Sequence, residues 1–175
     1  MKAVTEKRIL SLALYTAAAA SIHIVESLIM RILPLPFIRI GLSNVVVLYL
    51  IYKNQPFSAI IVNISKAVIG GLVTLTLLSP ATLLSLGGGF AAIGVMVFAR
   101  WLRLGLSIYG ISILGAIAHN LTQLALVHQI LIHSDSVFML TPILISIGLL
   151  SGCVIAYVTL YIDAKFTILG REKTT

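Results

Sequence analysis

Long apolar runs alternate with short polar or Pro/Gly-containing breaks along almost the whole chain. Most of the runs are close to the roughly 20 residues that an α-helix needs to cross a membrane. The first run is too long for the core of a signal peptide, so we expect it to be a retained helix. The second run is short and needs help from flanking residues. The pattern predicts an all-α integral membrane protein, a six-transmembrane-helix bundle with helices at about 9–30, 40–52, 57–78, 83–99, 104–132 and 137–162.

The composition agrees with a membrane protein. The chain of 175 residues is 59% hydrophobic and 10% charged, with a mean hydropathy of +1.12, whereas a soluble domain has about 25% charged residues. One membrane domain over residues 1–175 is enough for this length. Cys153 is the only cysteine, which argues against a disulfide framework. The few aromatic residues and scattered basic residues give little support to nucleic-acid binding, so we expect no nucleic-acid partner.

The basic residues predict the orientation of the bundle. With six spans, the N-terminus, the second and fourth turns and the C-terminal tail share one side of the membrane. That side carries Lys2, Lys7, Arg8, Lys53, Arg100, Arg103, Lys165, Arg171 and Lys173, and the opposite side carries Arg31 and Arg39. Since cytoplasmic loops are enriched in lysine and arginine, we expect both termini to be cytoplasmic.

Polar residues near the outer end of the first helix form one candidate site. His23, Glu26 and Ser27 are three or four residues apart and share a helix face. Ionisable groups are costly in lipid and usually face the interior of a helix bundle, which favours a substrate pocket that opens outward. The alternative is that Glu26 pairs with Arg31 or Arg39 as an interfacial anchor.

A second candidate is the stretch RIGLSN, where the first outer loop enters the second helix. Arg39 has the geometry to hold an anionic group through two hydrogen bonds, and Asn44 can both donate and accept. Gly41 permits an unusual backbone angle or a close approach. The competing interpretation is a helix cap beside an arginine that reaches the interface.

Glycines at the start of the fourth apolar run form a third candidate. Gly87, Gly88 and Gly89 are consecutive, and Gly94 follows. They lack the strand context of a phosphate-binding loop. Close helix packing is the better explanation, and a ligand lying against bare backbone at Gly88 and Gly89 is the alternative.

The stretch GAIAHNLTQLALVHQ places several polar side chains together within an apolar helix. His119, Asn120 and Gln123 lie within about one helical turn. The histidines of the chain are too spread out to predict a metal site. Polar side chains join transmembrane helices through hydrogen bonds, but we favour a wall that recognises a ligand.

A stripe of small residues on the first helix predicts a packing face. Ala13, Ala17 and Ser21 recur every four residues, which produces a smooth surface for another helix. That helix belongs either to the same chain or to a partner membrane protein.

Several of these stretches resemble one family in their order along the chain: RIGLSNVVVLYLIY, KAVIGGL, LSLGGGFAAIGVMV and GISILGAIAHNLTQL. The resemblance is to the heptaprenyl diphosphate synthase component I family, also called the Gx transporter family, over about residues 26–129. The segments G-L-x-N and G-A-x-A-H-N are its specific parts. The family is similar to the S components of energy-coupling factor (ECF) transporters. Those are six-helix substrate-binding membrane proteins with cytoplasmic termini, which dock on a transmembrane coupling subunit through small residues of their first helix.

The resemblance implies the substrate-binding subunit of an ECF-type importer in a bacterial plasma membrane, with a coupling subunit and ATPases as partners. Its cargo would be a vitamin-like molecule, a flavin, or a quinone or isoprenoid precursor. His23, Glu26, Arg39, Asn44, Gly88, Gly89, His119, Asn120 and Gln123 would contact the cargo. The loop 32–38, stiffened by Pro34 and Pro36, would act as a lid. Ala13, Ala17 and Ser21 would dock the partner.

The name heptaprenyl diphosphate synthase suggests an enzyme, but the acidic residues argue against catalysis in this chain. A prenyl synthase holds magnesium against diphosphate with clustered carboxylates. The five acidic residues, Glu6, Glu26, Asp135, Asp163 and Glu172, are far apart in sequence, and there is no nucleotide-binding loop. We therefore expect no enzymatic activity, no cofactor and no resident metal. An accessory membrane subunit of a prenyl diphosphate synthase or a quinone-pathway enzyme remains the alternative.

Overall fold

The structure, a computed structural model, describes residues 2–30, 41–103 and 105–172, and every regular element in these ranges is helical. Its α-helices are α1 (Lys2–Met30), α2 (Asn44–Tyr52), α3 (Pro56–Val73), α4 (Pro80–Trp101), α5 (Ile108–Val127) and α6 (Thr141–Glu172). A π-helical turn, His128–Ile132, and a 3₁₀ helix, Asp135–Leu140, connect α5 to α6.

The described part of the chain contains five helical segments that are long and apolar enough to cross a membrane. Large apolar side chains such as Leu14, Phe98 and Leu150 are exposed on the outside of the bundle. Exposed apolar surface of this extent suits contact with lipid and would be a liability in water. The predicted class, an all-helical multi-pass membrane protein, is confirmed.

The shortest helix, α2, is also the most deeply buried. It has nine residues, which span about 14 Å, roughly half of the hydrocarbon layer. Seven of these nine residues are buried. Val47, Leu48 and Leu50 are each 1% exposed and pack in the main core with residues of α1, α3, α4 and α6. A short central helix is therefore stabilised by its neighbours rather than by its own length.

The boundaries of the third and fourth helices differ from the prediction. We predicted a helix to residue 78, but α3 ends at Val73, and Leu75 adopts a left-handed φ of 56°. Thr76 stabilises the turn, since its carbonyl accepts hydrogen bonds from the hydroxyls of Ser79 and Thr82, both at 2.7 Å. Because Pro80 suits the first position of a helix, α4 begins there, and the glycine run predicted to open this helix lies inside it.

The connection between α5 and α6 also differs from the prediction. The α-helical part of α5 ends at Val127, and the chain continues to Ile132 as a π-helical turn. His133 then adopts a left-handed backbone, which ends the helical segment. The final helix runs to Glu172 rather than to residue 162, because the tail continues in helical conformation beyond the apolar run.

Two glycines one turn apart allow α5 and α6 to pack closely. Gly148 and Gly152 form a G-x-x-x-G pattern, which brings helix backbones together in membranes. A Cβ atom at Gly152 would lie 2.6 Å from the Cα atom of Ile113, and one at Gly148 would lie 3.2 Å from the Cα atom of Ile117. The Ser112 hydroxyl donates a 2.7 Å hydrogen bond to the Gly152 carbonyl across the same interface.

The helices form two groups that meet along the bundle. The first helix group consists of α1, α2 and α3, and the second consists of α4, α5 and α6. The groups meet mainly where α3 and α2 pack against α4 and α6. Arg100 of α4 reinforces this interface, since its guanidinium donates to the carbonyls of Ile51 and Tyr52 at the end of α2.

Candidate functional site

Most of the buried polar side chains lie at one end of the bundle, which we call the Glu26 end. The ends of α1, α3 and α5 and the starts of α2, α4 and α6 meet there. The buried polar residues of this end are His23, Glu26, Ser43, Asn44, Asn63, Lys66, Thr74, Thr82, Ser85, His119, Asn120 and Gln123.

Lys66 lies at the centre of the polar contacts in the first helix group. Its side chain is only 2% exposed. Its ammonium donates hydrogen bonds to the Asn44 Oδ1 atom at 2.6 Å and to the Ser43 Oγ atom at 3.1 Å. These bonds join α3 to the start of α2. A buried ammonium is costly in a membrane unless hydrogen-bond acceptors surround it, so this position is a functional-site candidate by its physics alone.

Two residues of α1 complete the first group. The carboxylate of Glu26 accepts a hydrogen bond from the Gly41 amide, and the left-handed φ of 75° at Gly41 suits a glycine. The ring of His23 packs on Gly70 so closely that a Cβ atom there would clash with it. Both side chains are buried. The face predicted for His23 and Glu26 thus points into the bundle, while Ser27 is half-buried.

The second helix group contributes His119 and Gln123, which pack against α4. Both are buried, and both lie about 3 Å from the position that a Cβ atom would take at Gly88. The amide of Gln123 donates a 3.3 Å hydrogen bond to the Leu84 carbonyl. Gly88 therefore allows the polar side chains of α5 to approach α4 closely, as the close-packing interpretation of the glycines predicts.

Asn63 and Gly89 lie where the two groups meet. Asn63 precedes Lys66 by three residues on α3, so both share a helix face. The Asn63 amide lies against Gly89 of α4, next to the contacts at Gly88. Asn63 is thus a polar side chain packed into the interface between the two groups.

Asn120 is turned away from these contacts. Its Nδ2 atom donates a 3.0 Å hydrogen bond to the Leu144 carbonyl of α6. Because Asn120 and His119 are adjacent on a helix, their side chains diverge by about 100°. This residue joins α5 to α6, as the interhelical alternative predicts.

The site offers binding chemistry of both charge signs. Lys66 is a cationic donor, Glu26 is an acceptor when ionised, and the amides and imidazoles both donate and accept. Water is displaced from these groups by the surrounding helices, and hydrogen bonds are stronger in such a low-dielectric environment. The arrangement therefore offers hydrogen-bond donors and acceptors of both charge signs at one end of the bundle.

The small-residue stripe on α1 lies on the opposite face of that helix. Ala13, Ala17 and Ser21 are exposed, whereas Ala19 and Ala20 are buried. An open groove of about 680 Å³ lies between α1, α2 and α6, with Tyr15, Tyr49 and Phe166 among its lining residues. The stripe therefore does not pack within the described part of this chain, which leaves it available to another helix.

Two parts of the predicted site lie outside the described residues. These are Arg39 and the predicted lid, residues 32–38. The possible pairing of Glu26 with Arg31 or Arg39 lies there as well. The binding roles assigned to His23, Glu26, Asn44, Gly88, Gly89, His119, Asn120 and Gln123 stay predictions.

Sequence reasoning missed Ser43, Asn63 and Lys66 as site residues. In the sequence, Lys66 interrupts the third apolar run. The signal was a lysine in a span of otherwise uncharged residues, with an asparagine three residues before it and a glycine four residues after it. Residues three or four positions apart lie on the same face of a helix. The spacing therefore predicts that Asn63, Lys66 and Gly70 share one face of α3.

Comparison with known proteins gives the family. The model of the family described as heptaprenyl diphosphate synthase component I matches residues 15–162, which is most of the chain. Searches of curated proteins and of solved structures found no match. The matched range includes every site residue named above, from His23 to Gln123. This multi-pass helical membrane protein therefore belongs to the heptaprenyl diphosphate synthase component I family.

Proposed function

We propose that this chain is the substrate-binding membrane subunit of an ECF-type importer. The observation that carries the proposal is the set of buried polar side chains at the Glu26 end, centred on Lys66 and contributed by both helix groups. Buried polar groups inside a membrane are costly, and they usually mark substrate or ion pathways. The cargo is a vitamin-like molecule, a flavin, or a quinone or isoprenoid precursor.

The orientation of the bundle supports uptake rather than export. In a six-span topology the Glu26 end faces outward, because Lys53, Arg100, Arg103 and Lys165 lie at the other end. The positive-inside rule then places both termini in the cytoplasm of a bacterium. A cargo molecule reaches the site from outside.

Energy for uptake comes from partner subunits. The chain has no nucleotide-binding loop, so separate ATPases drive transport through a coupling membrane protein. The exposed stripe of Ala13, Ala17 and Ser21 is the docking surface for that protein, since small residues let two transmembrane helices approach closely. The chain itself is not an enzyme, because its carboxylates do not form a magnesium-binding motif in sequence.

Replacing Ala17 with leucine is expected to abolish association with the coupling subunit. The added side chain stands on an exposed face of α1, so the fold and the bound cargo should be retained. The test is co-purification of the tagged chain with the coupling protein and ATPases expressed from the same bacterium. Gly94→Leu is the matched control, since Gly94 is also exposed and a Cβ atom there meets no atom within 4 Å. Equal loss of partner and cargo in Ala17→Leu would contradict a separate docking face.

A second candidate function is an accessory membrane subunit of a prenyl diphosphate synthase or a quinone-pathway enzyme. The observation that favours it is the description of the family itself, which names a component of such a synthase. In that case the polar residues at the Glu26 end join helices, and the stripe on α1 binds another subunit of the synthase.

Native mass spectrometry of the detergent-purified protein distinguishes the two candidates. We expect one small molecule per chain, which can be extracted and identified. An empty protein that co-purifies with a soluble prenyltransferase would overturn the importer proposal and support the accessory subunit.

A further inference from the structure

Asn63 occupies an unusual position at the interface of the two helix groups. It is 0% exposed, and neither its Oδ1 nor its Nδ2 atom has a hydrogen-bond partner in the described part of the chain. The large majority of buried side-chain polar atoms in proteins have a hydrogen-bond partner. An unpaired buried donor or acceptor costs about 1–3 kcal/mol, so the folded chain bears this cost at both atoms of one side chain.

Gly89 maintains this arrangement from the opposite helix. A Cβ atom at Gly89 would clash with the Asn63 Oδ1 atom and lie 2.6 Å from its Nδ2 and Cγ atoms. Glycine within a helix is itself about 0.5–1 kcal/mol less favourable than alanine. Two unfavourable features, the unpaired Asn63 amide and a glycine within a helix, thus coincide where α3 and α4 meet. Packing alone does not explain the amide, because leucine has a similar branched shape and no polar atoms.

Other polar side chains at the Glu26 end already have hydrogen-bond partners. Lys66, one turn further along α3, supplies only donors and already binds Ser43 and Asn44. The Gln123 amide is used in a bond to the Leu84 carbonyl, and that of Asn120 in a bond to Leu144. Among these amides, Asn63 alone has both its donor and its acceptor uncommitted within the described residues.

We propose that the Asn63 amide binds the cargo through a neighbouring N–H and C=O pair, as found in a primary amide, lactam, imide or ureide. This inference rests on the proposed importer function and specifies the class of its substrate. The carboxamide accepts from the N–H and donates to the C=O in one planar pair of hydrogen bonds. The Asn63 amide lies directly against Gly89, so α3 and α4 must separate at this point for the cargo to reach it.

The test compares two probes, uracil and 1,3-dimethyluracil, which differ in their N–H donors. Binding to the purified full-length protein is measured by saturation-transfer NMR. We expect uracil to bind at least about tenfold more tightly than its dimethyl analogue, since one buried hydrogen bond corresponds to about a factor of ten. In Asn63→Ala this preference should disappear, and in Gln129→Ala, which removes an exposed amide, it should remain.

Stability measurements separate recognition from structure. Without ligand, Asn63→Leu should unfold at the same temperature as the wild type or a higher one, because it removes an unpaired amide. Asn63→Ala adds no bulk against Gly89, so it is the variant to measure if Asn63→Leu does not fold. If the variants keep both the retained cargo and the preference for uracil, the amide proposal is wrong while the importer proposal stands. If the wild type retains no cargo and binds neither probe, both proposals are wrong.

Discussion

Replacing Lys66 with methionine is expected to remove the retained small molecule and to weaken cargo binding by roughly 10- to 100-fold. The estimate corresponds to one charge-assisted hydrogen bond of about 1.5–3 kcal/mol. The ammonium is buried and holds Ser43 and Asn44 at the start of α2. Methionine has a similar length but cannot donate, so both acceptors lose their partner and the site loses its cationic donor. The measurement is the fraction of chains that carry cargo by native mass spectrometry.

Lys7→Met is the matched control, since Lys7 is exposed and lies at the other end of α1. It removes the same charge and should leave cargo occupancy unchanged. A thermal unfolding curve for each variant shows whether the fold is intact. Full cargo occupancy in a folded Lys66→Met protein would contradict the assignment of Lys66 to the binding site and would reduce it to a link between α2 and α3.

Gly152→Ala is expected to destabilise the bundle by about 2–3 kcal/mol, within the range found for overpacked interiors. The added Cβ atom would lie 2.6 Å from the Cα atom and 2.9 Å from the N atom of Ile113. These are backbone atoms, so no side-chain rotation relieves the overlap, and α5 must move away from α6. That movement also disturbs the hydrogen bond from Ser112 to the Gly152 carbonyl. Unfolding in mixed detergent micelles measures the free energy.

The same substitution at Gly94, Gly94→Ala, is expected to have no destabilising effect. A Cβ atom at Gly94 meets no atom within 4 Å, and alanine is favoured over glycine in a helix by about 0.5–1 kcal/mol. This variant should therefore be as stable as the wild type or slightly more stable. Equal effects at the two positions would show that helix propensity, rather than the contact between α5 and α6, determines the stability of these variants.

The pattern of the chain predicted the membrane class and the two Pro-containing turns before α3 and α4. Apolar length and proline position act within one segment, so they are readable without knowledge of its neighbours. The end of α3 was placed too late, since the residues 74–78 are mostly apolar and only the turn around Thr76 shows that the helix has ended. The G-x-x-x-G pattern of Gly148 and Gly152 is a further packing signal in the sequence, and no prediction was based on it.

The candidate site was predicted in part. The polar residues of α1 and α5 were visible as departures from apolar runs, and the structure buries His23, Glu26, His119 and Gln123 at one end of the bundle. Asn120 belongs to the same sequence motif, but it bonds to α6. A sequence motif shows which polar side chains a helix carries. The rotation of that helix relative to its neighbours determines which of these side chains face the same neighbouring helix.

Segment length, hydropathy and charge bias are sums over neighbouring residues, and they were sufficient to predict a helical membrane bundle. The family followed from the resemblance of specific segments, G-L-x-N and G-A-x-A-H-N, to a known family. The tertiary structure decided that the shortest helix, α2, forms the centre of the core. It also decided that Lys66 joins α2 to α3 and that Asn63 meets Gly89 between the two helix groups. Those outcomes depend on contacts between residues far apart in sequence, and the packing of whole helices determines which of these contacts form.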